Sequence, residues 1–283
     1  VYGGKDYKNQ NISARGMWGS SATSIWMHSD SQVIHYDGHS WKVDDSWGSH
    51  GGITAITGLP GGDVWIAADR KIYFSNKGSP RRLGTAGPNL EQVKDIQAVT
   101  GQSLYAVGVP HSGDEASVYH WNGTNWQPAA KTMKDNLNAA WYDTATQALW
   151  VAGDEGLIAR YKNGVWDNKR GKTGQSIADL HGTDGSNILA VGRSADGLGQ
   201  DVALVLRYDG STWNTVDTKA SGKSDLVKVI ALPGNRFWAA GYKLLSLDGS
   251  GTYTWHTEQL DQVVWVPDAN KPEEIWAGSV RRY

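Results

Sequence analysis

The sequence predicts an all-β protein, a single β-propeller of short antiparallel strands, and three observations carry this prediction. The 283 residues include 35 Gly, 15 Trp and 12 Tyr but only 2 Phe and 3 Met, which indicates many tight turns with flat amphipathic rings between them. Short alternating segments such as 24–28, 63–67 and 148–152 recur, whereas almost no window has helical periodicity. A unit of roughly 40 residues also repeats along the whole chain.

The clearest part of the repeat is a strand that ends in aromatic–Asx–Gly, followed by two residues and a Trp. Its copies span 33–41, 118–126 and 206–213, with a looser copy at 159–166. Asp or Asn followed by Gly tolerates a positive φ and therefore favours a tight reversal. We expect each copy to join the third and fourth strands of a unit, with the Trp packed back across the sheet.

The spacing of the repeat predicts the number of units. Aromatic residues in the middle of successive units lie about 42 residues apart, and 283 residues hold just under seven such units. A small four-stranded sheet cannot bury both faces alone and must stack on its neighbours around an axis. We therefore expect one domain, 1–283, with seven four-stranded blades and an N-terminal strand that completes the last blade. The predicted blades are 12–45, 52–84, 92–130, 136–168, 176–217, 225–258, and 260–283 with 1–7.

Composition excludes several classes of function. The formal net charge of −2 gives no field that would attract nucleic acid or an anionic membrane. The absence of Cys excludes disulfides, thiolate nucleophiles and thiolate-ligated metals. No apolar run approaches the roughly 18 residues of a membrane-spanning helix, and the polar residues 1–11 lack a signal-peptide pattern. The expected chain is not membrane-spanning, and any leader or lipid anchor would already have been removed.

Candidate binding residues come from the geometry of a propeller. The loops between blades and those between strands two and three share one rim, and the longest insertions, 109–115 and 193–201, are predicted on it. Charged residues at the ends of second strands should gather on the same rim. The predicted binding residues are Asp30, Asp69, Arg70, His111, Asp154, Glu155, Arg193 and Lys243, together with Trp47.

Trp47 is the one Trp outside the repeat positions. It lies in a polar loop between the first two blades, where its indole is expected either to stack on a sugar ring or a partner side chain, or to fold back onto its own blade. The segment 196–201 has oxygen ligands and glycines but lacks the twelve-residue calcium pattern with its terminal Glu, so Asp196 and Asp201 are only weak metal candidates. No other cofactor is expected. Strand histidines such as His120 and His256 are expected to be structural.

The repeats resemble those of bacterial extracytoplasmic seven-bladed propellers, which read roughly IWG, DVWAVG, G-I-HYDG and W. The residues that carry the resemblance are 17–21, 33–41 and 188–192. The repeats are more distantly similar to tectonin-type lectins and to the Asp-box hairpins of sialidase-like propellers. The Asp-box pattern has one residue between Asp and Gly, whereas Asp37–Gly38 and Asp209–Gly210 are adjacent. The resemblance implies a secreted, periplasmic or cell-surface protein, and it is specific for fold rather than function.

Three functions remain open on the sequence alone. The first is a non-catalytic binding or scaffold module that engages a glycan or a protein through the rim. The second is a propeller glycoside hydrolase or polysaccharide lyase, with carboxylates such as Asp154 and Glu155 at the separation that glycoside cleavage needs. The third is a subunit of an envelope assembly complex with no small ligand. No catalytic motif is present to decide among them.

Overall fold

The computed structural model describes residues 14–48, 50–76, 80–84, 86–112, 116–129, 133–170, 175–195, 198–219, 224–256, 262–265 and 275–278. These residues form six four-stranded antiparallel sheets, each with its strands in chain order, and one two-stranded sheet. The strands of blade one are β1 (Gly16–Ser21), β2 (Ser24–His28), β3 (Val33–Tyr36) and β4 (Trp41–Val43); of blade two, β5 (Ile53–Leu59), β6 (Asp63–Ala68), β7 (Lys71–Asn76) and β8 (Arg81–Arg82); and of blade three, β9 (Leu90–Thr100), β10 (Ser103–Pro110), β11 (Val118–Trp121) and β12 (Trp126–Pro128).

The other three blades follow the same plan. They consist of β13 (Leu137–Asp143), β14 (Ala148–Gly153), β15 (Ile158–Lys162) and β16 (Val165–Arg170); β17 (Ser176–Asp184), β18 (Asn187–Ala195), β19 (Asp201–Tyr208) and β20 (Trp213–Thr215); and β21 (Leu226–Leu232), β22 (Arg236–Gly241), β23 (Leu244–Leu247) and β24 (Tyr253–His256). The two-stranded sheet pairs β25 (Gln262–Trp265) with β26 (Ile275–Gly278). Two short 3-10 turns, Asp45–Trp47 and Asp154–Gly156, are the only helical segments among the described residues.

The prediction of seven four-stranded blades is wrong, because the structure has six. The spacing argument counted the aromatic of each second strand, and the last of these, Trp276, does lie on a second strand, β26. A second strand shows only that a hairpin is present, and β26 pairs with no third strand in the described part of the chain. The strands expected from 1–7 and 279–283 lie outside the described residues.

The first strands of the blades surround the central axis. Each of them contacts the first strand of the next blade in chain order, from β1 to β21, and β25 contacts both β21 and β1. The small β25–β26 sheet therefore lies between blade six and blade one. This arrangement explains why single small sheets are stable here, since each packs against its two neighbours.

A bulge near the start of the first strand explains a glycine on the facing second strand. In blades two to six the register between the first and second strands shifts by one residue at this point, as between Leu137 and Ala139. In blades four and five the carbonyl before the bulge then lies over a glycine of the second strand. A Cβ at Gly153 or Gly192 would lie 2.0 Å from a carbonyl oxygen, so only Gly fits at these positions.

Aromatic rings on the third and fourth strands fill the spaces between blades. Tyr208 of β19 is 2% exposed, and its ring centroid lies 5.0 Å from that of Trp150 in the preceding blade and 5.3 Å from that of Trp213 on β20. Its hydroxyl donates to the Gly210 carbonyl across the tight turn. The carboxylate of Asp209 accepts from the backbone N–H groups of Ser211 and Thr212 in the same turn. The aromatic–Asx–Gly–x–x–Trp hairpin is thus confirmed as the link between third and fourth strands.

Candidate functional site

The predicted rim exists as a set of connections between second and third strands. Eight of the nine candidate residues were expected on these connections, and Trp47 was expected in the loop between blades one and two. Asp30 follows β2, Asp69 and Arg70 join β6 to β7, His111 follows β10, Asp154 and Glu155 follow β14, Arg193 lies near the end of β18, and Lys243 follows β22. All of these side chains are exposed except those of His111 and Lys243, which are partly buried. Whether they bind a partner together stays a prediction.

Two of the rim charges form ion pairs with neighbours in their own blade. Arg15 lies 3.1 Å from the Asp30 carboxylate, with both side chains more than half exposed. Arg193 lies 3.6 Å from Asp201 across the β18–β19 hairpin. Exposed pairs of this kind contribute little to stability, about 0–1 kcal/mol. Whether Asp201 binds a metal stays a prediction. Asp196 lies outside the described residues.

Asp154 joins two blades at the rim. Its carboxylate accepts from the side-chain amides of Asn136 and Asn138 at 3.3 and 3.1 Å and from the hydroxyl of Ser176 at 3.4 Å. The amide of Asn138 also donates to the carbonyl of Ile177 in blade five. Asn138 is the bulged residue of its first strand, so the bulge aims a polar side chain toward the next blade. Asp154 is therefore a positioned rim residue rather than a freely solvated charge.

Asp69, Arg70 and Glu155 have left-handed backbone conformations. Their φ angles are 51°, 62° and 54°, a region that residues other than Gly, Asn and Asp rarely occupy. Asp69 and Arg70 are the two central residues of the β6–β7 hairpin, where two positive φ angles define a type I′ turn. Asn–Gly is the favoured pair for this turn, so the sequence retains charged side chains at the tip at some cost in local stability.

Trp47 is buried, which corrects the expectation that its indole is available for stacking. It is 3% exposed and packs in a cluster with Val33 of blade one and with Ile53, Val64 and Ile66 of blade two. The carboxylate of Asp44 caps the 3-10 turn that carries it. The ring neither projects into solvent nor folds back onto its own blade alone, because most of its partners belong to blade two. Trp47 is therefore removed from the binding residues.

A charged cluster lies on the first strands, which sequence reasoning did not single out. The ammonium of Lys228 lies 3.3 Å from the Asp179 carboxylate, whose side chain is 5% exposed. The other Asp179 oxygen accepts from the backbone N–H of Val229 at 2.8 Å, and Asp95 accepts in the same way from Ala140 of its next blade at 2.9 Å. Burial raises the pKa of Asp95 to about 6, and the nearby Lys228 charge opposes that rise.

Asp95, Asp179 and Lys228 occupy equivalent register positions in blades three, five and six, each just after the bulge. A signal was therefore present in the sequence, since aligning the repeats by their second-strand residues would have placed the three charges in one row. Their chemistry is structural, because each carboxylate connects one blade to the first strand of the next. The cluster is a polar link between blades and not a candidate active site.

Two histidines lie near this row of charges, His28 fully buried and His181 partly buried. A Cβ at Gly16 would lie 2.5 Å from Nε2 of His28. His181 accepts through Nδ1 from the N–H of Ala231 in blade six at 3.1 Å. Burial lowers the pKa of both imidazoles to about 4, so both are neutral near pH 7. The expected structural role of His120 and His256 is confirmed, since each pairs with a serine hydroxyl, Ser103 and Ser246 respectively.

Comparison with known proteins supports the architecture and leaves the family open. The sequence matches no protein-family model and no curated protein. Solved structures do match. A structure described as the WD40 beta propeller domain of Doa1 has a TM-score of 0.73 at 15% identity, covering 96% of this chain and 91% of that one. The chain is a β-propeller.

Two further solved structures are similar to this chain. A structure described as YCF48 bound to D1 peptide has a TM-score of 0.70 at 12% identity, covering 95% of this propeller and 91% of that chain. The extracellular domain of a putative hybrid two-component system, BT3049 from B. thetaiotaomicron, has a TM-score of 0.67 at 12% identity, covering 96% of this propeller but 39% of that chain. At these identities the likeness shows the fold alone. The described part of the propeller also contains no helix long and apolar enough to cross a membrane.

Proposed function

We propose that this propeller is a non-catalytic binding or scaffold protein that holds a protein partner, through an extended segment, against the rim formed by the connections between second and third strands. The observation that carries the proposal is the composition of that rim. It presents carboxylates (Asp30, Asp69, Asp154, Glu155) and cations (Arg70, Arg193, Lys243) interspersed on a rigid ring. Interspersed charges of both signs suit a protein surface better than a polyanion, because complementary pairs fix register and exclude wrong partners.

Two further observations support this proposal. The structure described as YCF48 bound to D1 peptide shows that a protein of similar fold binds a peptide. The strained turns at Asp69, Arg70 and Glu155 keep charged residues where Gly would be more stable, and such strain is typical of recognition sites. We also propose that the protein works outside the cytoplasm, which its resemblance to extracytoplasmic propellers supports.

Site-specific photo-crosslinking tests the proposal. A photoreactive amino acid is placed at Ser112, an exposed rim residue after β10, and in a matched variant at Thr144, an exposed residue of the β13–β14 turn at the opposite rim. In extracts of the source cells we expect one crosslinked protein at Ser112 and none at Thr144. Reversing the charges of Asp69, Arg70 and Glu155 together should reduce that crosslink at least tenfold.

Two results would contradict the proposal. One is a crosslink of equal yield at Ser112 and Thr144, which would mean that the rim does not select the partner. The other is turnover of chromogenic glycosides or polysaccharides that is lost in Asp154→Asn or Glu155→Gln. That second result would instead support the hydrolase or lyase alternative.

A further inference from the structure

Blade two departs from the repeat at the position that fills the space toward the preceding blade. This position is the third-strand residue paired with the one before the mid-blade aromatic or leucine of the second strand. The residues there in blades one to six are Tyr36, Ser75, Trp121, Tyr161, Tyr208 and Leu247. Five are large, and they belong to clusters shared with the preceding blade. Among these six blades, only blade two has a small polar side chain there.

Blade two also lacks the Trp that the other blades carry on their fourth strands. Those residues are Trp41, Trp126, Trp166, Trp213 and Trp255, whereas β8 is Arg81–Arg82. The interface between blades one and two therefore lacks both rings of the repeated pair. Trp47 fills part of the space, packed against Val64 and Ile66. A pocket of about 520 Å³ remains, and Ser75 lies in its wall.

The hydroxyl groups in the wall of this pocket already have partners. The Ser24 hydroxyl lies 3.2 Å from Nε2 of His35, and the Ser46 hydroxyl donates to the Asp44 carboxylate at 2.5 Å. Ser75 also has an interaction of its own. The serines therefore do not select an occupant, and any selection comes from the charge and the apolar surface of the wall.

The charge of the wall is a single carboxylate. Asp44 accepts from the backbone N–H and the hydroxyl of Ser46 and forms no ion pair among the described residues. No lysine or arginine belongs to the described residues that line the pocket. The ammonium of Lys42, two residues before Asp44, lies 2.7 Å from the Asp37 carboxylate. Asp44 thus lacks a counter-charge in the described part of the chain.

The apolar surface of the wall comes from both blades. Trp26 of blade one and Val64 of blade two line the pocket, and His35 stacks on Trp26 with a ring-centroid distance of 3.9 Å. Burial lowers the pKa of His35, so its imidazole is neutral near pH 7 and does not compensate Asp44. The pocket thus combines an apolar wall with one uncompensated negative charge.

We propose that this pocket between blades one and two binds an alkyl cation, an aliphatic chain that ends in an ammonium or a guanidinium group, as in lysine and arginine side chains. The chain packs against Trp26 and Val64, and the cationic group donates to Asp44 in a charge-assisted hydrogen bond. An anion is repelled by Asp44. A neutral apolar molecule removes water from the carboxylate without replacing it, which is costly. The volume lies within the roughly 300–1,000 Å³ typical of small-ligand sites.

The test uses the intact chain and small probes that share one alkyl chain and differ in charge. The cations are n-butylammonium and n-butylguanidinium, the neutral probe is n-butanol and the anion is butyrate. Saturation-transfer NMR and titration calorimetry measure binding. We expect the two cations to bind at least tenfold more tightly than n-butanol or butyrate. Ser75→Tyr, which restores a ring at the position of the repeat, should weaken cation binding at least tenfold.

Asp44→Asn tests the role of the charge, because it removes the carboxylate and keeps an oxygen that can cap the 3-10 turn. It should lower the affinity for both cations at least tenfold and leave the affinity for n-butanol unchanged. Asp45→Asn is the matched control. Asp45 is the next residue, is exposed and is not among the residues that line the pocket, so removing its charge should leave cation binding unchanged.

The proposal is overturned if neither cation binds, if n-butanol or butyrate binds as tightly as the cations, or if Asp44→Asn and Asp45→Asn weaken binding equally. A blocked pentapeptide with one lysine between glycines distinguishes two sources of the cation. Binding of this peptide supports a protein side chain as the occupant, and binding of the free cations alone supports a small molecule. The crosslink at Ser112 does not enter this test, so this proposal and the rim proposal can fail independently.

Discussion

Lys228 is the residue whose charge most affects the interior of the propeller. Its ammonium neutralises the buried carboxylate of Asp179 and also lies near Asp95. The Asp179 carboxylate is buried, whereas the Lys228 side chain is 32% exposed. Removing the ammonium is costly because it leaves the buried carboxylate uncompensated. The stability of the first-strand row therefore depends on one cation.

Lys228→Met should destabilise the protein by about 3–5 kcal/mol, measured as the free energy of unfolding in urea. The double variant Lys228→Met with Asp179→Asn should recover most of that loss, because no buried charge then lacks its partner. As a matched control, Lys219→Met removes the cation of an exposed pair with Asp217 and should cost less than about 1 kcal/mol. Equal losses for the two lysines would refute the interpretation.

At the scale of the strand and hairpin, the aromatic pair on strands three and four determines how tightly two blades pack. The pair is present between blades four and five, where Tyr208 and Trp213 meet Trp150. It is absent between blades one and two, where a pocket remains. The hairpin of strands three and four therefore fills the space between blades four and five. In blade two the equivalent hairpin lacks both rings, and a cavity remains beside blade one.

Tyr208→Ser should leave a small polar residue between blades four and five, as Ser75 does between blades one and two. It should lower the free energy of unfolding by about 3–5 kcal/mol, because it removes a fully buried ring. The thermal midpoint and urea unfolding measure this loss. Ser75→Tyr is the reciprocal change at the equivalent position, and it should leave stability unchanged or raise it. A loss below about 1 kcal/mol for Tyr208→Ser would mean that the aromatic pair is not what holds adjacent blades together.

At the scale of the whole molecule, buried titratable groups link stability to pH. The pKa values of His28 and His181 are lowered to about 4 by burial, so between about pH 6.5 and 4 the unfolded chain binds more protons at these residues. Acidification through this window therefore favours unfolding. Asp95, with its pKa raised to about 6, acts in the opposite sense, because below pH 6 the folded protein takes up its proton more readily.

Burial lowers the pKa of four imidazoles, those of His28, His35, His120 and His181, and raises the pKa of two carboxylates, those of Asp95 and Asp179. The histidines are the more numerous, so the free energy of unfolding should fall between pH 7 and pH 4. Urea unfolding at a series of pH values measures it. His181→Asn retains an acceptor for the N–H of Ala231 and should make the pH dependence shallower. Asp95→Asn should make it steeper. A stability that rises on acidification would show that the histidines do not dominate.

Much of the fold was predictable from sequence because its signals are local. Aromatic–Asx–Gly turns, alternating strands and the position of Trp on second and fourth strands depend on neighbouring residues and recur in most copies. The rim positions of Asp30, Asp69 and Asp154 followed from strand order. The count of blades was not predictable in this way, since one second strand at Trp276 does not show that two further strands pair with it.

The amino-acid sequence by itself determined the strand order of each blade, the chemistry of its turns and the rings that lie between blades, because these depend on short-range periodicity and on backbone preferences. Only the tertiary structure decided that six blades form, that Trp47 is buried, that Asp95, Asp179 and Lys228 share one row, and that a pocket remains beside Ser75. These features arise where residues of different blades meet across blade faces, and the close packing of those faces depends on all of the contributing side chains together.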